Sequence, residues 1–294
     1  MSRRGQAELA LLANALIWGG TFTTVKSALA DASPVLFVAV RFTLAAVVLM
    51  LIYHRKLEWR VLLPGVAVGT LLFAGYAFQT IGLRFTTASK SAFITGLTIP
   101  MVPLLTSIVY RTKPRLAELG GVLCATLGMS LMTLPDMHLQ NVNPGDLLTV
   151  FCAVAFAGHI VALGYFSNWA IGKGYGFEAL AVWQIASAAA LATLSFRWLD
   201  TPHWRMSPGL AVALAITGLL ATALAFTVQA WAQRYTTATR TALIYSLEPV
   251  FAWAFSWLLS GEVLSGRATL GAVLILAGIL LVELKRGEVG EHLT

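Results

Sequence analysis

Apolar residues fill most of the chain in long runs, and short polar segments separate these runs. The breaks carry turn-forming residues, as in Asp31-Ala32-Ser33-Pro34 and Asn143-Pro144-Gly145. A helix needs roughly 20 apolar residues to cross the hydrocarbon core of a bilayer, so the pattern predicts ten membrane-spanning helices with short connections. The predicted spans are 8–26, 34–53, 61–83, 90–110, 115–134, 146–166, 177–197, 208–234, 239–259 and 266–284.

The second half of the chain repeats the first at an offset of 150 residues, which aligns Arg84-Phe85-Thr86-Thr87-Ala88-Ser89-Lys90 with Arg234-Tyr235-Thr236-Thr237-Ala238-Thr239-Arg240. The same offset aligns Gln79 with Gln229. The repeat predicts two five-helix units, 8–134 and 146–284, within one integral membrane unit. Because five is odd, the second unit must be inverted, as in many secondary transporters. The predicted fold is an all-α membrane protein of two inverted repeats.

Composition agrees with the membrane class. Only 11% of residues are charged and the mean hydropathy is +0.78, whereas soluble domains carry roughly 25% charged residues. The net charge of +7 comes from bases beside apolar runs, which indicates topology signals rather than a nucleic-acid partner. The two cysteines have no metal or redox spacing, so we expect neither a metal site nor a cofactor.

The Lys and Arg residues also predict the orientation. If the N-terminus is cytoplasmic, 13 of the 20 bases lie inside and six outside, with Arg41 inside a span. The six outside are Lys26, Arg84, Lys90, Arg197, Arg205 and Arg267. We therefore expect both termini to be cytoplasmic, in a multi-pass protein of the bacterial inner (plasma) membrane. The first apolar run lacks a small-residue cleavage pattern and is expected to remain as a helix.

Two motifs carry a family resemblance: Leu16-Ile17-Trp18-Gly19-Gly20-Thr21-Phe22 in the first half, and Tyr245-Ser246-Leu247-Glu248-Pro249-Val250-Phe251 in the second. Their order resembles the EamA family of the drug/metabolite transporter superfamily over residues 8–284. One departure is Gly261-Glu262, which has no counterpart at Arg111-Thr112-Lys113 after the fourth helix. The resemblance implies ten helices, a central cavity and export of amino acids, aromatic ones included, or related metabolites.

Polar residues inside the spans are candidates for chemistry. Gln79 and Gln229 either join helices or contact substrate, since an unpaired buried amide is costly. Glu248 is either a proton or ammonium site or a structural partner. Arg41 either binds a carboxylate, extends to the interface or braces a helix, and bracing is favoured. His159 is either a satisfied interior histidine or part of a cavity, since no second ligand stands near it in sequence.

Aromatic residues in mid-span either face the core or the lipid, which is usual, or form the walls of an apolar cavity. They are Trp18, Tyr76, Phe78, Phe156 and Tyr245. Such a cavity, with few bases inside it, suits a zwitterion better than a phosphate. The predicted substrate-binding set is Trp18, Tyr76, Gln79, Thr95, Phe156, His159, Gln229, Tyr245 and Glu248.

Prolines within the fourth and ninth spans predict gating positions, with packing kinks as the alternative. Pro100 should free the carbonyl of Gly96, and Pro249 that of Tyr245. Glycines on the fifth and tenth spans predict a close helix pair, either within the molecule or between two copies. They are Gly120, Gly121, Gly128, Gly271 and Gly278. We therefore expect a monomer or a weak homodimer.

The leading function is a secondary exporter of small neutral metabolites that alternates access around a central cavity. The alternative is a channel, or a lipid or nucleotide-sugar flippase of the same fold. The chain has no phosphate-binding loop for a primary pump. It also lacks the Gly-x-Ser-x-Gly and His-Glu-x-x-His motifs, so we do not expect an enzyme.

Overall fold

The computed structural model describes residues 2–86, 88–133, 143–248, 250–251, 254 and 265–290, and its described residues are almost entirely helical. An isolated bridge between Ala32 and Trp204 is the one extended pairing in this described part. The α-helices are α1 Arg3–Gly19, α2 Thr21–Ala28, α3 Pro34–Tyr53, α4 Leu62–Gly82, α5 Ala88–Thr95, α6 Thr98–Tyr110, α7 Leu116–Thr133, α8 Pro144–Gly172, α9 Phe177–Leu199, α10 Pro208–Ala215, α11 Ala225–Ala232, α12 Ala238–Tyr245 and α13 Gly266–Gly290. A π-helix, Ile216–Leu224, joins α10 to α11.

Six helical stretches are long and apolar enough to cross a membrane, judged by length and composition over the described residues. They are Pro34–Lys56, Trp59–Gly82, Ser91–Tyr110, Pro144–Gly172, Phe177–Leu199 and Pro208–Ala232. Two shorter apolar helices, Leu116–Leu131 and Gly266–Leu281, accompany them. The predicted all-helical membrane class is confirmed, and the ten-span inverted arrangement stays a proposal.

Helix starts coincide with the polar breaks because those breaks supply capping groups. The Asn143 side chain accepts from the backbone N–H of Asp146, and the Asp146 side chain accepts from the N–H of Asn143. Ser207 caps α10 through the N–H of Leu210. Such bonds satisfy N–H groups that have no partner within the helix.

Several predicted spans are interrupted rather than continuous. The chain turns at Gly20 between α1 and α2, at Gly96 between α5 and α6, and at Ser246 after α12. Gly96 and Ser246 are 150 residues apart, so the last two interruptions fall at equivalent points of the repeat. Each places the ends of short helices inside the bundle.

The predicted consequence of Pro100 is wrong. Pro100 is the third residue of α6, where a missing N–H leaves no helical hydrogen bond unmade. The Gly96 carbonyl is not free either, because it accepts from the N–H of Ile99 at 3.0 Å. The interruption therefore belongs to Gly96 and Leu97 rather than to a proline kink. Pro249 and Gly261-Glu262 lie outside the described residues.

The predicted glycine pair lies within the molecule, between α7 and α13. A Cβ on Gly128 would lie 2.4 Å from the carbonyl oxygen of Gly271, and one on Gly278 would lie 2.5 Å from that of Gly121. Only hydrogen atoms fit at these two crossing points. Gly128 and Gly278 are 150 residues apart, and so are their partners Gly121 and Gly271. The same contact therefore occurs twice, and the two helices pack with approximate two-fold symmetry.

Candidate substrate cavity

One cavity of about 130 Å³ lies at the centre of the bundle, between segments of both halves. All nine side chains of the predicted substrate-binding set line it: Trp18, Tyr76, Gln79, Thr95, Phe156, His159, Gln229, Tyr245 and Glu248. Residues separated by up to 230 positions in the sequence thus share one space. The predicted gating residue Pro100 is not in the lining.

Aromatic rings form two connected walls of the cavity. Trp18 meets Tyr245 with ring centroids 4.8 Å apart and Phe226 at 5.3 Å. Tyr76 meets Phe156 at 5.2 Å, and it meets Phe226 at 6.1 Å. Phe226 therefore bridges the walls, in geometries that aromatic pairs favour.

Phe78 does not belong to these walls. Its ring lies 5.7 Å from that of Phe151, a residue that is 49% exposed on the outside of the bundle. Phe78 and Tyr76 are two positions apart on α4, so they project from different sides of the helix. Phe78, which is not in the predicted substrate-binding set, thus fits the alternative of a core or lipid-facing aromatic.

Arg41 is buried in α3, with 3% of its surface exposed, and lines the cavity. Its Nε donates to the Thr222 hydroxyl at 2.7 Å and to the Thr217 carbonyl at 3.2 Å. Its Nη2 donates to the Tyr76 hydroxyl and to the Ala221 carbonyl, each at 3.3 Å. The guanidinium also lies over the Tyr76 ring, 4.6 Å from its centroid. The side chain is thus braced inside the protein and does not extend to the interface.

The π-helix Ile216–Leu224 provides most of these acceptors. Carbonyl oxygens can accept two hydrogen bonds, and the Ala221 carbonyl accepts both from Arg41 and from Trp18 Nε1, the latter at 2.9 Å. Gly218 allows the close approach, since a Cβ there would lie 2.9 Å from a methyl carbon of Leu44 on α3. One irregular segment thereby positions both a cation and an aromatic wall, in keeping with the frequent occurrence of π-helical turns at functional sites.

The two repeat-matched glutamines occupy similar but not identical settings. Gln79 donates to the Thr95 hydroxyl at 3.2 Å. Gln229 donates to Gln233 at 3.2 Å, and Gln233 donates to the Ile160 carbonyl at 2.9 Å. The Gln229 Oε1 is buried without a hydrogen-bond partner among the described residues. Gln79 therefore joins α4 to α5, whereas in the described part of the chain Gln229 bonds only Gln233 at the end of its own helix. Both glutamines line the cavity, and contact with substrate stays a prediction.

His159 is both a satisfied interior histidine and a lining residue. Its Nε2 lies 2.9 Å from Gln184 Oε1 on α9, and both side chains are buried. This contact joins α8 to α9 beside the cavity. Over the described residues no group of His, Cys, Asp and Glu is arranged to hold a metal ion.

Glu248 lines the same cavity, half-buried beside the interruption after α12. Among the described residues it has no ion-pair partner. The alternative role of Glu248, as a structural partner of another residue, is therefore not supported in this part of the chain. A carboxyl group in such a place must hold a proton, face water or meet a cation that enters the cavity.

Polar contacts join the two halves at both ends of the bundle. At the end that holds the start of α1, Arg240 Nη1 bonds Glu8 Oε1 at 2.8 Å, and the Thr236 hydroxyl is 3.5 Å from the same oxygen. At the opposite end the Thr86 hydroxyl donates to Asp146 Oδ1 at 2.8 Å. Thr86 and Thr236 are repeat equivalents, and each contacts an acidic residue near the start of the other half's first helix.

The predicted set omitted several residues that shape the site. Phe226 gave no signal, because a phenylalanine in an apolar run does not differ from a lipid-facing one. Asn14 did give a signal, since it is an amide within an apolar run, and it donates to the Ala225 carbonyl at 2.8 Å. Arg41 was recognised as intramembrane, but its place at the cavity depends on backbone groups far away in the sequence.

The profile of the EamA-like transporter family matches the chain twice, over residues 5–134 and residues 143–284. The chain belongs to the EamA-like transporter family. The resemblance inferred from the sequence is confirmed, and the chain is a multi-pass membrane transporter of this EamA family.

Two relatives of this EamA transporter match along most of their length. An uncharacterized transporter of Archaeoglobus fulgidus is 33% identical over 283 residues, which are 96% of this chain and 87% of that protein. A probable amino-acid metabolite efflux pump of Salmonella typhimurium is 25% identical and covers 96% of this chain and 95% of its own length. One crystal structure matches with a TM-score of 0.77 at 20% identity, over 96% of this chain and 98% of that one. At that identity the structural match shows the fold alone.

Proposed function

We propose that this EamA transporter exports small, largely neutral metabolites by alternating access. Amino acids with aromatic or apolar side chains are the leading substrates. The observation that carries the proposal is the central cavity, which joins aromatic walls to a few hydrogen-bonding groups. Small-molecule sites have this composition, with apolar surface for contact area and few polar groups for orientation. The Salmonella typhimurium relative, named a probable amino-acid metabolite efflux pump, supports the same class.

We further propose that the chain forms ten membrane helices as two inverted repeats, 8–134 and 146–284. Two family matches of similar length support the duplication. The reciprocal glycine contacts between α7 and α13 and the matched interruptions at Gly96 and Ser246 also support it. In such a molecule the two halves exchange conformations, which closes one entrance and opens the other.

Both termini are proposed to face the cytoplasm. The test is labelling of single cysteines with an impermeant maleimide in intact cells, in a background that lacks Cys124 and Cys152. Thr201→Cys, in the exposed loop before α10, should react from outside, whereas Lys173→Cys, in the exposed loop after α8, should react only after lysis. The reverse pattern would contradict the orientation without affecting the proposed substrate.

Transport itself is tested with purified protein in liposomes. Internal unlabelled phenylalanine should accelerate entry of labelled phenylalanine, because a carrier exchanges substrates across the membrane whereas a channel does not. Threonine should exchange more slowly, and a sugar phosphate should not exchange at all. Flux that internal substrate does not accelerate would indicate a channel, and preference for the sugar phosphate would contradict the substrate class.

The aromatic walls provide a matched set of variants. Trp18→Ala and Tyr76→Ala should slow exchange of phenylalanine more than that of threonine, because each removes apolar contact with a bulky side chain. Phe78→Ala is the control, since Phe78 lies on the same helix as Tyr76 but outside the lining. Equal effects of Tyr76→Ala and Phe78→Ala on phenylalanine would contradict the assignment of the pocket.

A further inference from the structure

We propose that Arg41 is the anion-binding group of the cavity and takes the carboxylate of the transported metabolite, with the π-helix Ile216–Leu224 as its support. This inference rests on the proposed transport function and narrows its substrate class to metabolites that carry a carboxylate. It departs from the sequence-based expectation, in which a zwitterion needs no full countercharge.

The Arg41 guanidinium has donors that its bracing contacts do not use. Nε and Nη2 are held by Thr217, Thr222, Ala221 and Tyr76. Nη1 has no hydrogen bond from the described residues and is not fully enclosed by them, and Arg41 is one of the residues that line the cavity. A guanidinium carries five N–H donors. The bracing contacts therefore leave donors unused on a side chain that borders the space where a substrate would bind.

The positive charge of Arg41 is costly at its place within α3. Arg41 lies seven residues into α3, or about 10 Å along a helix with a rise of 1.5 Å per residue. A charge at such depth costs at least ~2.5 kcal/mol unless it meets a countercharge or water. No carboxylate of the described residues forms an ion pair with Arg41. The surrounding carbonyls solvate the cation only in part, so an anionic ligand would complete its coordination.

Tyr76 provides a second donor beside Arg41. Its hydroxyl accepts from Arg41 Nη2 at 3.3 Å, which leaves its own proton available to a second acceptor. A carboxylate beside Arg41 could accept from Nη1 with one oxygen and from the Tyr76 hydroxyl with the other. Charge-assisted bonds of this kind are about twice as strong as neutral ones. Glu248 lines the same cavity and, when it is ionised, provides the opposite charge for an ammonium group.

The test compares three probes that share one ring: L-phenylalanine, 3-phenylpropionate, which lacks the ammonium group, and L-phenylalaninamide, which lacks the carboxylate. Binding is measured by calorimetry on purified protein in nanodiscs. The wild-type protein should bind both carboxylates and should bind the amide about ten- to a hundredfold more weakly, as expected for loss of a charged hydrogen bond. Arg41→Gln should abolish this preference and bind all three probes weakly.

Thr222→Val keeps the guanidinium but removes its shortest hydrogen bond. This variant provides a second test in case the Arg41→Gln protein folds poorly. It should weaken both carboxylates several-fold and leave the amide unchanged, whereas general destabilisation would weaken all three alike. Arg197→Gln, an exposed cation on α9 outside the lining, is the control and should match the wild-type protein.

The outcomes separate the two proposals. If wild-type protein exchanges phenylalanine but binds the amide equally well, the role of Arg41 is overturned and the transport function stands. A folded Arg41→Gln protein that retains the preference for carboxylates has the same meaning. If the wild-type protein neither exchanges phenylalanine nor binds either carboxylate, both proposals are overturned.

Discussion

Among the described residues that line the cavity, Glu248 is the acidic and Arg41 the basic side chain, and the protein holds them very differently. Arg41 is fixed by carbonyl and hydroxyl oxygens, whereas Glu248 has no ion-pair partner among the described residues. A fixed cation suits ligand binding. A carboxyl group without a fixed partner suits a proton or cation that comes and goes during the transport cycle.

The prediction for Glu248 is that Glu248→Gln removes the pH dependence of net phenylalanine uptake while exchange at equilibrium survives. The amide cannot lose or gain a proton, so the step that couples transport to pH is lost. The other titratable groups of the lining are Arg41, Tyr76, His159 and Tyr245. The measurement is the initial uptake rate in liposomes between about pH 5.5 and pH 8.5. Glu58→Gln, an exposed residue outside the lining, serves as the control, and an unchanged pH profile in well-folded Glu248→Gln would contradict the proton role.

At the residue scale, the sequence was informative wherever a side chain stood out from its surroundings. A glutamine, a glutamate or a histidine within an apolar run must find a partner or a cavity, so these residues were predictable. Phe226 was not, because burial in a bundle and exposure to lipid select the same residue types. The contacts of Arg41 were not predictable either, because two of its four acceptors are backbone carbonyls some 180 positions away, and side-chain identity does not show them.

At the scale of elements, the helix pair α7 and α13 depends on glycine at its crossing points. Gly278→Ala should destabilise the protein, because the added methyl group would lie 2.5 Å from the Gly121 carbonyl oxygen and 3.2 Å from the Ala125 nitrogen. Backbone atoms cannot yield as a flexible side chain can, so we expect a loss of about 1–3 kcal/mol. The measurement is the midpoint of thermal unfolding in detergent.

Gly266→Ala is the matched control for this prediction. It lies in the same helix, and a Cβ there would meet no atom within 4 Å. The substitution should leave the unfolding midpoint unchanged or raise it slightly, since alanine favours helix more than glycine does. Equal midpoints for the Gly278 and Gly266 variants would show that the close crossing of α7 and α13 contributes little to stability.

Two connecting loops are joined by Asp31, which lies between α2 and α3. Ser207 donates to its carboxylate at 2.6 Å and Arg205 at 2.7 Å, and these bonds hold the pKa of Asp31 below its usual value. A lowered pKa means that the ionised group contributes stability above its unfolded pKa of roughly 3.9 and loses it as the pH falls through the folded value.

The difference in unfolding midpoint between wild-type protein and Asp31→Asn should therefore persist from about pH 7 to about pH 5 and should narrow below about pH 4. Glu58→Gln, for which no side-chain hydrogen bond or ion pair is found among the described residues, provides the baseline. A difference that widens as the pH falls below about 4 would contradict the assignment of the lowered pKa to these contacts.

The starts of helices could be predicted from capping residues, whereas the interruptions within the predicted spans could not. Asn143 and Ser207 are recognisable N-caps, so the starts of α8 and α10 lie within two residues of their predicted positions. The break at Gly96 was assigned to Pro100, because a proline in an apolar run is the strongest local signal. The break instead depends on tertiary packing against Met129. A Cβ on Gly96 would lie 2.2 Å from the Met129 sulfur, so only a residue without a side chain fits at this turn.

At the scale of the whole molecule, two similar polar contacts lie at opposite ends of the bundle. Thr86 bonds Asp146 at one end, and Thr236 and Arg240 contact Glu8 at the other. An apolar cluster that includes Ala7, Leu11 and Ala242 packs beside the Glu8 end, so the two halves meet there both by packing and by charge. In the proposed alternating-access cycle, the contact at the end that opens must break while its counterpart forms or persists.

The ion pair between Arg240 and Glu8 should therefore set how often that end opens. Arg240 has 5% of its side chain exposed and Glu8 23%, so the pair is shielded more than a surface pair and its loss should matter. Arg240→Gln should increase the rate at which a maleimide labels Leu11→Cys, a position that is fully buried in the closed cluster. A rise on the order of tenfold would correspond to about 1.4 kcal/mol. Lys173→Gln, an exposed charge outside this contact, should leave the rate unchanged. The same rate in the wild-type and Arg240→Gln backgrounds, with both proteins folded, would show that packing alone keeps this end closed.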